Sequence, residues 1–211
     1  MTTLHSYWRS TAAYRVRIAL NLKGLDYQQI PHDLRVGEQA APAYASVNPQ
    51  QLIPALEVDG VVLTQSLAIL EWLEETHPEP RLLPARAADR AAVRAMAQTI
   101  ACDIHPLNNL RVLARLRAEF GADENAVSRW IAGWIADGFE ALETLIAKRG
   151  GAFAYGDTPT LADCCLVPQV YSARRFNVDL AHYPRLVDAA DRAGELDAFV
   201  AAHPTNQPDA D

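Results

Sequence analysis

Residues 48–66 read NPQQLIPALEVDGVVLTQS, and this stretch decides the fold of the first part of the chain. Its centre is Asp59-Gly60, a pair that favours tight β-hairpin turns because both residues tolerate positive φ angles. The apolar and partly β-branched runs 55–58 and 61–64 flank that pair. The stretch therefore predicts two antiparallel strands joined by a two-residue turn.

The two ends of this hairpin predict a binding edge. Pro54 cannot donate a hydrogen bond to a sheet, so it belongs where the chain enters the first strand, just after Ile53. Ser66 follows the second strand and is a natural N-cap for the apolar-periodic helix LAILEWLEE. Because a helix start leaves free N–H groups and a partial positive charge, Gln65 and Ser66 predict an anion site. A backbone edge beside an anion site suits a peptide that carries a carboxylate.

The residues before the hairpin add further elements. The runs 4–8 and 27–30 have strand character, and the apolar residues within 16–22 predict a helix between them. A polar, alanine-rich run at 35–47 predicts a short helix before the hairpin. The resulting order, β-α-β-(α)-β-β-α, is an α/β thioredoxin-like arrangement, in which the proline beside the active loop is commonly cis.

A proline-rich segment then separates this domain from an all-helical one. We place a thioredoxin-like domain at 1–81, a linker at 82–86 and an all-α C-terminal domain at 87–211. The helical periodicity beyond the linker predicts several elements and a loose tail. They are a helix over 89–120 divided at His105-Pro106, a helix over 123–149 with Trp130 and Trp134 on its buried face, a helix from the capping-box pair Thr160 and Asp163, shorter helices near Pro184 and Glu195, and the tail from Pro204.

Charge and composition narrow the class of protein. A formal net charge of −7 argues against nucleic acid as the main partner. No apolar run approaches the roughly 20 residues that a membrane helix needs, and the N-terminus lacks a signal-peptide pattern, so we expect a cytoplasmic protein with no membrane partner. The three cysteines lack metal-ligand spacing, so we expect no metal site. Cys164-Cys165 lies in an apolar segment, so we expect these two thiols to be buried.

The residues Arg9-Ser10-Thr11 are the first candidates for chemistry. They lie between a strand end and a helix start, where a hydroxyl donor and helix N–H groups would stabilise a thiolate. By position alone, Ser10 or Thr11 is more often an ordinary N-cap, and Gln65-Ser66 has the same alternative.

Two further candidate groups lie in the second domain. His105 and Asn109 are four residues apart, so they are predicted to share one helix face, with Arg111 close by. A satisfied polar pair in a kinked helix is the alternative. Arg174-Arg175 follows the third helix of this domain, and an exposed basic pair without a function is the alternative there.

Five segments occur in this chain in one order, and together they carry a resemblance. They are SYWRSTAAYRVRIALNLKG, NPQQLIPALEVDG, TQSLAILEWLEE, ACDIHPLNNLRVL and GDTPTLADCCLVPQV…ARRFNVDL. In this order they resemble the zeta class of glutathione transferases, from the first strand to the QPD near the C-terminus. The resemblance implies the two-domain glutathione transferase architecture, glutathione as the cofactor and a homodimer.

The resemblance also implies roles for individual residues. The Ser-Ser-Cys motif of the class falls on Ser10-Thr11-Ala12, so Ser10 is implied to hold the glutathione sulfur, while Ala12 replaces the cysteine. Arg175, with Arg9 as a second candidate, is implied to bind substrate carboxylates, because a guanidinium can grip a carboxylate bidentately. The implied glutathione contacts, besides Ser10 and Thr11, are Gln39, Gln51, Ile53, Pro54, Gln65, Ser66, His105, Asn109 and Arg111.

The activity implied by the resemblance is a glutathione-dependent cis–trans isomerisation of a keto diacid. The substrate would be maleylacetoacetate, converted to fumarylacetoacetate in tyrosine and phenylalanine catabolism. Isomerisation of maleylpyruvate, the same chemistry on a shorter keto acid, is the nearest alternative. A general glutathione transferase that conjugates electrophiles and a non-catalytic glutathione-binding module are the two other classes, although a thiol-activating hydroxyl favours an enzyme.

Overall fold

The computed structural model describes residues 1–211, and the chain forms two compact units. Unit 1 comprises Met1–Leu82 together with Glu195–Asp211, and unit 2 comprises Leu83–Gly194. The first division falls inside the predicted linker. The other end differs from the predicted domain 87–211, because residues 195–211 pack with the N-terminal segment.

Unit 1 is built on a four-stranded mixed sheet. Its strands are β1 Thr3–Ser6, β2 Gln28–Pro31, β3 Ala55–Val58 and β4 Val61–Thr64, and their spatial order is β2-β1-β3-β4. β1 and β2 run parallel, whereas the other two neighbouring pairs are antiparallel. The predicted strand–helix–strand opening and the thioredoxin-like sheet are both confirmed.

The hairpin has the predicted bounds. Ala55 pairs with Thr64 and Val58 with Val61. Asp59 and Gly60 have φ angles of 49° and 80°, and positive φ at both central residues is what a type I′ turn requires. The Asp-Gly pair therefore sets the turn, and the turn sets the register of the two strands.

Nine α-helices complete the two units. In unit 1 they are α1 Thr11–Leu22, α2 Pro42–Val47, α3 Ser66–Thr76 and α9 Asp197–Ala202; in unit 2 they are α4 Ala87–Gln98, α5 Leu110–Phe120, α6 Glu124–Arg149, α7 Leu161–Arg175 and α8 Pro184–Gly194. The 3₁₀ turns are Glu38–Ala40, His105–Asn108 and Pro204–Asn206, and Thr99–Ile104 is π-helical. No helix combines the length and the apolar composition that crossing a membrane demands.

A buried ion pair joins Lys23, the C-cap residue of α1, to α3 in unit 1. Lys23 Nζ donates to Glu74 Oε2 and to the carbonyl oxygen of Pro80, both at 2.7 Å. Glu74 Oε2 also accepts a hydrogen bond from the Leu82 N–H at 2.9 Å. The side chains of Lys23 and Glu74 are only 0% and 5% exposed, so each charge depends on the other for compensation.

The helices of unit 2 begin and end largely where the sequence predicts. The long pattern at 89–120 is divided around Pro106, since a proline cannot continue the helical hydrogen bonds. α6 has Asp123 as its N-cap, and α7 has the predicted capping box, in which Asp163 Oδ2 accepts from the Thr160 N–H at 2.8 Å. Cys164 and Cys165 are buried in α7, as expected for apolar packing.

Two predictions about packing are wrong. Trp134 is 36% exposed, because the buried stripe of α6 runs through Ile131 and Ile135 instead. The tail from Pro204 is ordered: Pro204 is buried, and Asp209 Oδ2 accepts a hydrogen bond from the Trp8 N–H at 2.9 Å.

Candidate active site

Ser10 stands at the point where β1 gives way to α1. The Ser10 N–H donates to the carbonyl oxygen of Tyr7 at 2.9 Å and closes a turn, and Ser10 is the N-cap of α1. Its Oγ accepts from the Ala13 N–H at 3.2 Å. A hydroxyl has one proton and two lone pairs, so this cap leaves the Ser10 proton available to donate. The cap prediction is therefore correct, and it is compatible with holding a thiolate.

The start of α1 offers backbone N–H groups in addition to the Ser10 hydroxyl. Thr11 is the first residue of α1 and is buried. The first N–H groups of a helix carry a partial positive charge, which lowers the energy of a nearby thiolate.

Arg9 carries a positive charge on the same turn. Its guanidinium carbon lies 4.9 Å from the centroid of the Trp8 ring, and Nη2 donates to the Tyr7 hydroxyl at 3.2 Å. The Arg9 Nε is buried and has no hydrogen-bond partner. Neighbouring rings therefore hold the guanidinium in place while leaving it hydrogen-bonding capacity, which suits a carboxylate ligand.

Two side chains hold the loop before β3 through hydrogen bonds to its backbone. The Ile53–Pro54 peptide bond is cis, as predicted, and Pro54 directly precedes the strand. The carbonyl oxygen of Leu52 accepts from the Tyr44 hydroxyl and from Asn48 Nδ2, both at 2.7 Å. These two bonds fix the backbone at Ile53, where a peptide-like ligand is predicted to pair.

Ser66 is not the N-cap that the sequence predicts. Gln65 occupies the N-cap position of α3 and makes no side-chain cap. The Ser66 hydroxyl instead accepts a hydrogen bond from Arg15 Nη1 at 3.2 Å, within a buried environment. The start of α3 thus combines helix N–H groups, a hydroxyl with a proton to donate and a nearby guanidinium, and this combination favours an anion.

Two glutamines of the predicted site have unusual backbones. Gln51 and Gln65 have φ angles of 56° and 67°, a region that residues with a Cβ rarely adopt. Such strain persists where the surrounding structure enforces it and is concentrated at ligand sites. Gln65 Nε2 also donates to Gln50 Oε1 at 2.9 Å. Gln39 lies in a 3₁₀ turn, and its Oε1 is buried without a hydrogen-bond partner.

In unit 2, the predicted pairing of His105 with Asn109 on one helix face is wrong. His105 lies in a 3₁₀ turn, whereas Asn109 is the N-cap of α5 and its Oδ1 accepts from the Arg111 N–H at 3.1 Å. Pro106 interrupts the helix between them, so the four-residue spacing no longer implies a shared face. The side chain of Arg111 is exposed.

The two arginines at the end of α7 have different environments. They lie within its last turn rather than after it. Arg174 is tied to α8 through an ion pair with Asp191, at 2.8 Å. The Arg175 guanidinium carbon lies 4.5 Å from the centroid of the Phe176 ring. The two guanidinium groups therefore have different neighbours, a carboxylate of α8 for Arg174 and an aromatic ring for Arg175.

The residues that support the turn Tyr7–Ser10, called the active turn below, and the start of α3 are not predicted by the sequence patterns. Arg15 and Arg17 lie at the helix predicted after the first strand and carry no predicted role, yet they are 2% and 0% exposed. Two arginines within a run of buried apolar residues were the available signal, because arginine is rarely buried without partners. Asp209, which bonds the Trp8 N–H, lies in the segment predicted to be loose.

The chain matches known domains over most of its length. The N-terminal domain of glutathione S-transferase matches residues 4–81, and the C-terminal domain of glutathione S-transferase matches residues 111–202. The chain is 55% identical over 210 residues to a maleylpyruvate isomerase of Ralstonia sp, with 98% of each chain covered. It is 50% identical over 204 residues to a maleylacetoacetate isomerase of Rhizobium meliloti (strain 1021), with 96% of each chain covered.

Solved structures show the same likeness. A holo maleylpyruvate isomerase, described as a bacterial zeta-class glutathione S-transferase, has a TM-score of 0.97 and 52% identity, covering 99% of this chain and 100% of that one. A maleylacetoacetate isomerase of Anaeromyxobacter dehalogenans 2CP-1 carries dicarboxyethyl glutathione and citrate in its active site. Its TM-score is 0.88 at 46% identity, covering 100% of this chain and 98% of that one.

Proposed function

Because the chain belongs to the glutathione S-transferase family, we propose that it is a glutathione-dependent isomerase that converts maleylacetoacetate to fumarylacetoacetate. The proposal rests chiefly on Ser10, a hydroxyl with a proton to donate at the start of α1. The isomerase relatives match this protein over nearly the whole length of its chain. The dicarboxyethyl glutathione bound by one of them is a thioether of glutathione with a diacid, which is the kind of adduct that this reaction forms.

The reaction proceeds by reversible addition. The glutathione thiolate forms a C–S bond to one carbon of the cis double bond, and the π electrons move to the keto group as an enolate. The former double bond is now single and rotates. Collapse of the enolate breaks the C–S bond, expels the thiolate and leaves the trans double bond. Glutathione is regenerated at the end. For this reaction the protein must lower the thiol pKa, bind both carboxylates of the substrate and stabilise the enolate.

The residues of unit 1 divide the work of binding glutathione. Ser10 donates its hydroxyl proton to the thiolate, with Thr11 as the second hydroxyl at this helix start. Ile53, beside Pro54, pairs its backbone with the cysteinyl unit. The start of α3 receives the γ-glutamyl carboxylate. The remaining proposed glutathione contacts in unit 1 are Gln39, Gln51, Gln65 and Ser66. Outside unit 1, the proposal also includes His105, Asn109 and Arg111.

Two arginines are proposed to bind the acidic substrate. Arg9 is supported by its stacked position and its unused Nε donor. Arg175 is supported by its stacking on Phe176, which fixes a guanidinium for a bidentate contact. Arg174, whose guanidinium pairs with Asp191, is not proposed for this role.

Maleylpyruvate is the second candidate substrate. The observation that favours it is the 55% identity to a maleylpyruvate isomerase, which is higher than the 50% identity to the maleylacetoacetate isomerase of Rhizobium. Both substrates are cis keto diacids, so the same thiolate, the same arginines and the same enolate serve either reaction.

Isomerisation rates on both substrates, with and without glutathione, test the proposal. We expect turnover only with glutathione and the larger kcat/KM with maleylacetoacetate; the larger value with maleylpyruvate would select the second candidate. Faster conjugation of a nitro-aromatic acceptor would indicate a general transferase. Binding to immobilised glutathione without turnover of either diacid would indicate a binding module.

A matched pair of variants tests the carboxylate assignment. Arg175→Ala should raise the KM for the keto diacid about tenfold or more, since a charge-assisted hydrogen bond contributes about 1.5–3 kcal/mol, and it should leave glutathione affinity nearly unchanged. Arg175→Lys should recover only part of the loss, because an ammonium lacks the bidentate fork. Arg174→Ala is the control. Equal losses in the two alanine variants would mean a diffuse basic patch, and an unchanged KM in Arg175→Ala would move the role to Arg9.

We also propose that the protein is a cytoplasmic homodimer. The support for a dimer is the edge of the sheet, where β4 is the outermost strand and the side chains of Val61 and Val62 are 54% and 41% exposed. Exposed apolar residues on an edge strand favour burial against a second subunit.

A further inference from the structure

Arg17 is a fully buried cation directly behind the turn that carries Ser10. Its guanidinium makes four hydrogen bonds within unit 1. Nη2 donates to the Trp8 carbonyl at 3.0 Å, Nη1 donates to Ser6 Oγ at 3.0 Å and to the Tyr7 carbonyl at 3.5 Å, and Nε donates to the Ala202 carbonyl at 3.0 Å. One side chain therefore joins the active turn to the end of α9.

Two of these four contacts fall on the carbonyl groups of Tyr7 and Trp8, which shape the turn. The Tyr7 carbonyl also accepts the Ser10 N–H at 2.9 Å, which is the bond that closes the turn. The Trp8 carbonyl belongs to the peptide group that leads into Arg9. The 3.0 Å bond to the Trp8 carbonyl and the longer 3.5 Å contact with the Tyr7 carbonyl restrain the planes of the two peptide groups and, through them, the position of Ser10.

Asp209 holds the same turn from the other side of Trp8. Its Oδ2 accepts the Trp8 N–H at 2.9 Å, so the N–H and the C=O of Trp8 are bound by Asp209 and Arg17, respectively. Ala210 packs against the apolar cluster that contains Tyr7, Trp8 and Ile53.

A glutamine anchors this final segment. Gln207 Nε2 donates to the carbonyl oxygens of Ala201 and His203, at 2.9 and 2.7 Å, and its Oε1 accepts from Gln29 Nε2 at 2.9 Å. Asp209 is thus part of an ordered segment tied to β2.

We propose that Arg17 and Asp209 are positioning residues for the glutathione thiolate. They touch neither glutathione nor substrate; they hold the peptide groups of Trp8 so that the Ser10 hydroxyl meets the sulfur at hydrogen-bonding distance. This inference rests on the proposed role of Ser10. A hydrogen bond weakens steeply with small displacements, so a loosened turn stabilises the thiolate less even when glutathione still binds.

The two substitutions of Asp209 separate positioning from charge. Asp209→Ala removes the acceptor for the Trp8 N–H, whereas Asp209→Asn removes the charge and keeps an acceptor oxygen. Loss of a negative charge alone favours a nearby thiolate and lowers its pKa. Loss of positioning raises the thiol pKa. The two explanations therefore predict shifts of opposite sign in Asp209→Ala.

The measurements are the pKa of bound glutathione, from the ultraviolet absorbance of its thiolate, and the affinity for S-methylglutathione, which has no thiol to ionise. We expect Asp209→Ala to raise the thiol pKa by about half to one unit. At pH values below that pKa, kcat/KM should therefore fall about three- to tenfold, because less of the glutathione is thiolate. Affinity for S-methylglutathione should stay within about twofold. Asp209→Asn should restore most of the wild-type thiol pKa.

Further variants complete the test. Arg17→Lys keeps the charge but lacks the fork that reaches both carbonyls, so we expect a pKa shift in the same direction as Asp209→Ala. Asp188→Asn, which removes an exposed acid paired with Arg192 in α8, is the control and should change nothing. If Arg17→Lys does not fold, the Asp209 pair alone decides.

Several results would overturn the inference. They are an unchanged or lowered thiol pKa in Asp209→Ala, equal shifts in Asp209→Ala and Asp209→Asn, or a parallel loss of S-methylglutathione affinity. Ser10→Ala distinguishes this failure from a failure of the proposed function. If Ser10→Ala raises the thiol pKa and Asp209→Ala does not, only the positioning role is wrong. If neither raises it, Ser10 itself is not the thiolate donor.

Discussion

Replacing Ser10 with alanine should raise the pKa of bound glutathione by about one to two units. The Ser10 Oγ already accepts the Ala13 N–H, so its single proton is the one proposed to meet the thiolate. A hydrogen bond to a charged group contributes about 1.5–3 kcal/mol, and one pKa unit corresponds to about 1.4 kcal/mol. For a thiol with a pKa near 7, this rise lowers the thiolate fraction at pH 7 roughly five- to fiftyfold.

The assay is a pH titration of thiolate absorbance in the binary complex, together with the pH profile of kcat. Loss of the cap also costs about 1 kcal/mol of stability, which must be separated from the chemical effect. Asp123→Ala provides the match, because Asp123 caps α6 by accepting the Ala126 N–H at 2.7 Å and should leave the thiol pKa unchanged. An unchanged pKa in Ser10→Ala would refute the assignment, and Thr11→Ala should then show the defect.

Three other predictions concern stability and assembly. Glu74→Gln should lower the free energy of unfolding by about 3–5 kcal/mol in urea titrations, because it leaves the buried Lys23 charge without a charged partner; a loss below about 1 kcal/mol contradicts this. Burial raises the pKa of Asp163 to about 6, above roughly 3.9 in an unfolded chain, so the folded state holds this proton more tightly. The free energy of unfolding should therefore fall as pH rises from about 4 to 6. The Asp163→Asn variant should lack that fall. Sedimentation should show a dimer at micromolar concentration, and a species of monomer size alone excludes it.

The parts of the fold that the sequence predicts correctly are those set by neighbours along the chain. Asp59-Gly60 determines its hairpin because the turn needs two positive φ angles within two residues. Asp123 and the pair Thr160 and Asp163 begin their helices through bonds to residues two or three positions away. Local signals of this kind survive folding because tertiary contacts do not oppose them.

The parts that the sequence does not predict depend on residues that are far apart in the chain. Ser66 has the composition of an N-cap, yet its partner is Arg15, 51 residues earlier. The hydrogen bond between Trp8 and Asp209 spans 201 residues, and no sequence pattern around Asp209 predicts it. Of the candidate site, the hydroxyl at Ser10 and the helix start at α3 follow from pattern, whereas the buried arginines behind them require the packed structure.

The division of the chain between the two units has a consequence for how the protein is made. Unit 1 needs Glu195–Asp211, which the ribosome synthesises only after every residue of unit 2. While the 112 residues of unit 2 are translated, the first 82 residues therefore lack both α9 and the hydrogen bond between Asp209 and Trp8. Domains generally fold in the order of their synthesis, but here we expect unit 2 to fold first and the active turn to be completed last. A protein released before residue 195 would contain all four strands of the sheet and would still lack the hydrogen bond from Trp8 to Asp209 beside the proposed thiolate site.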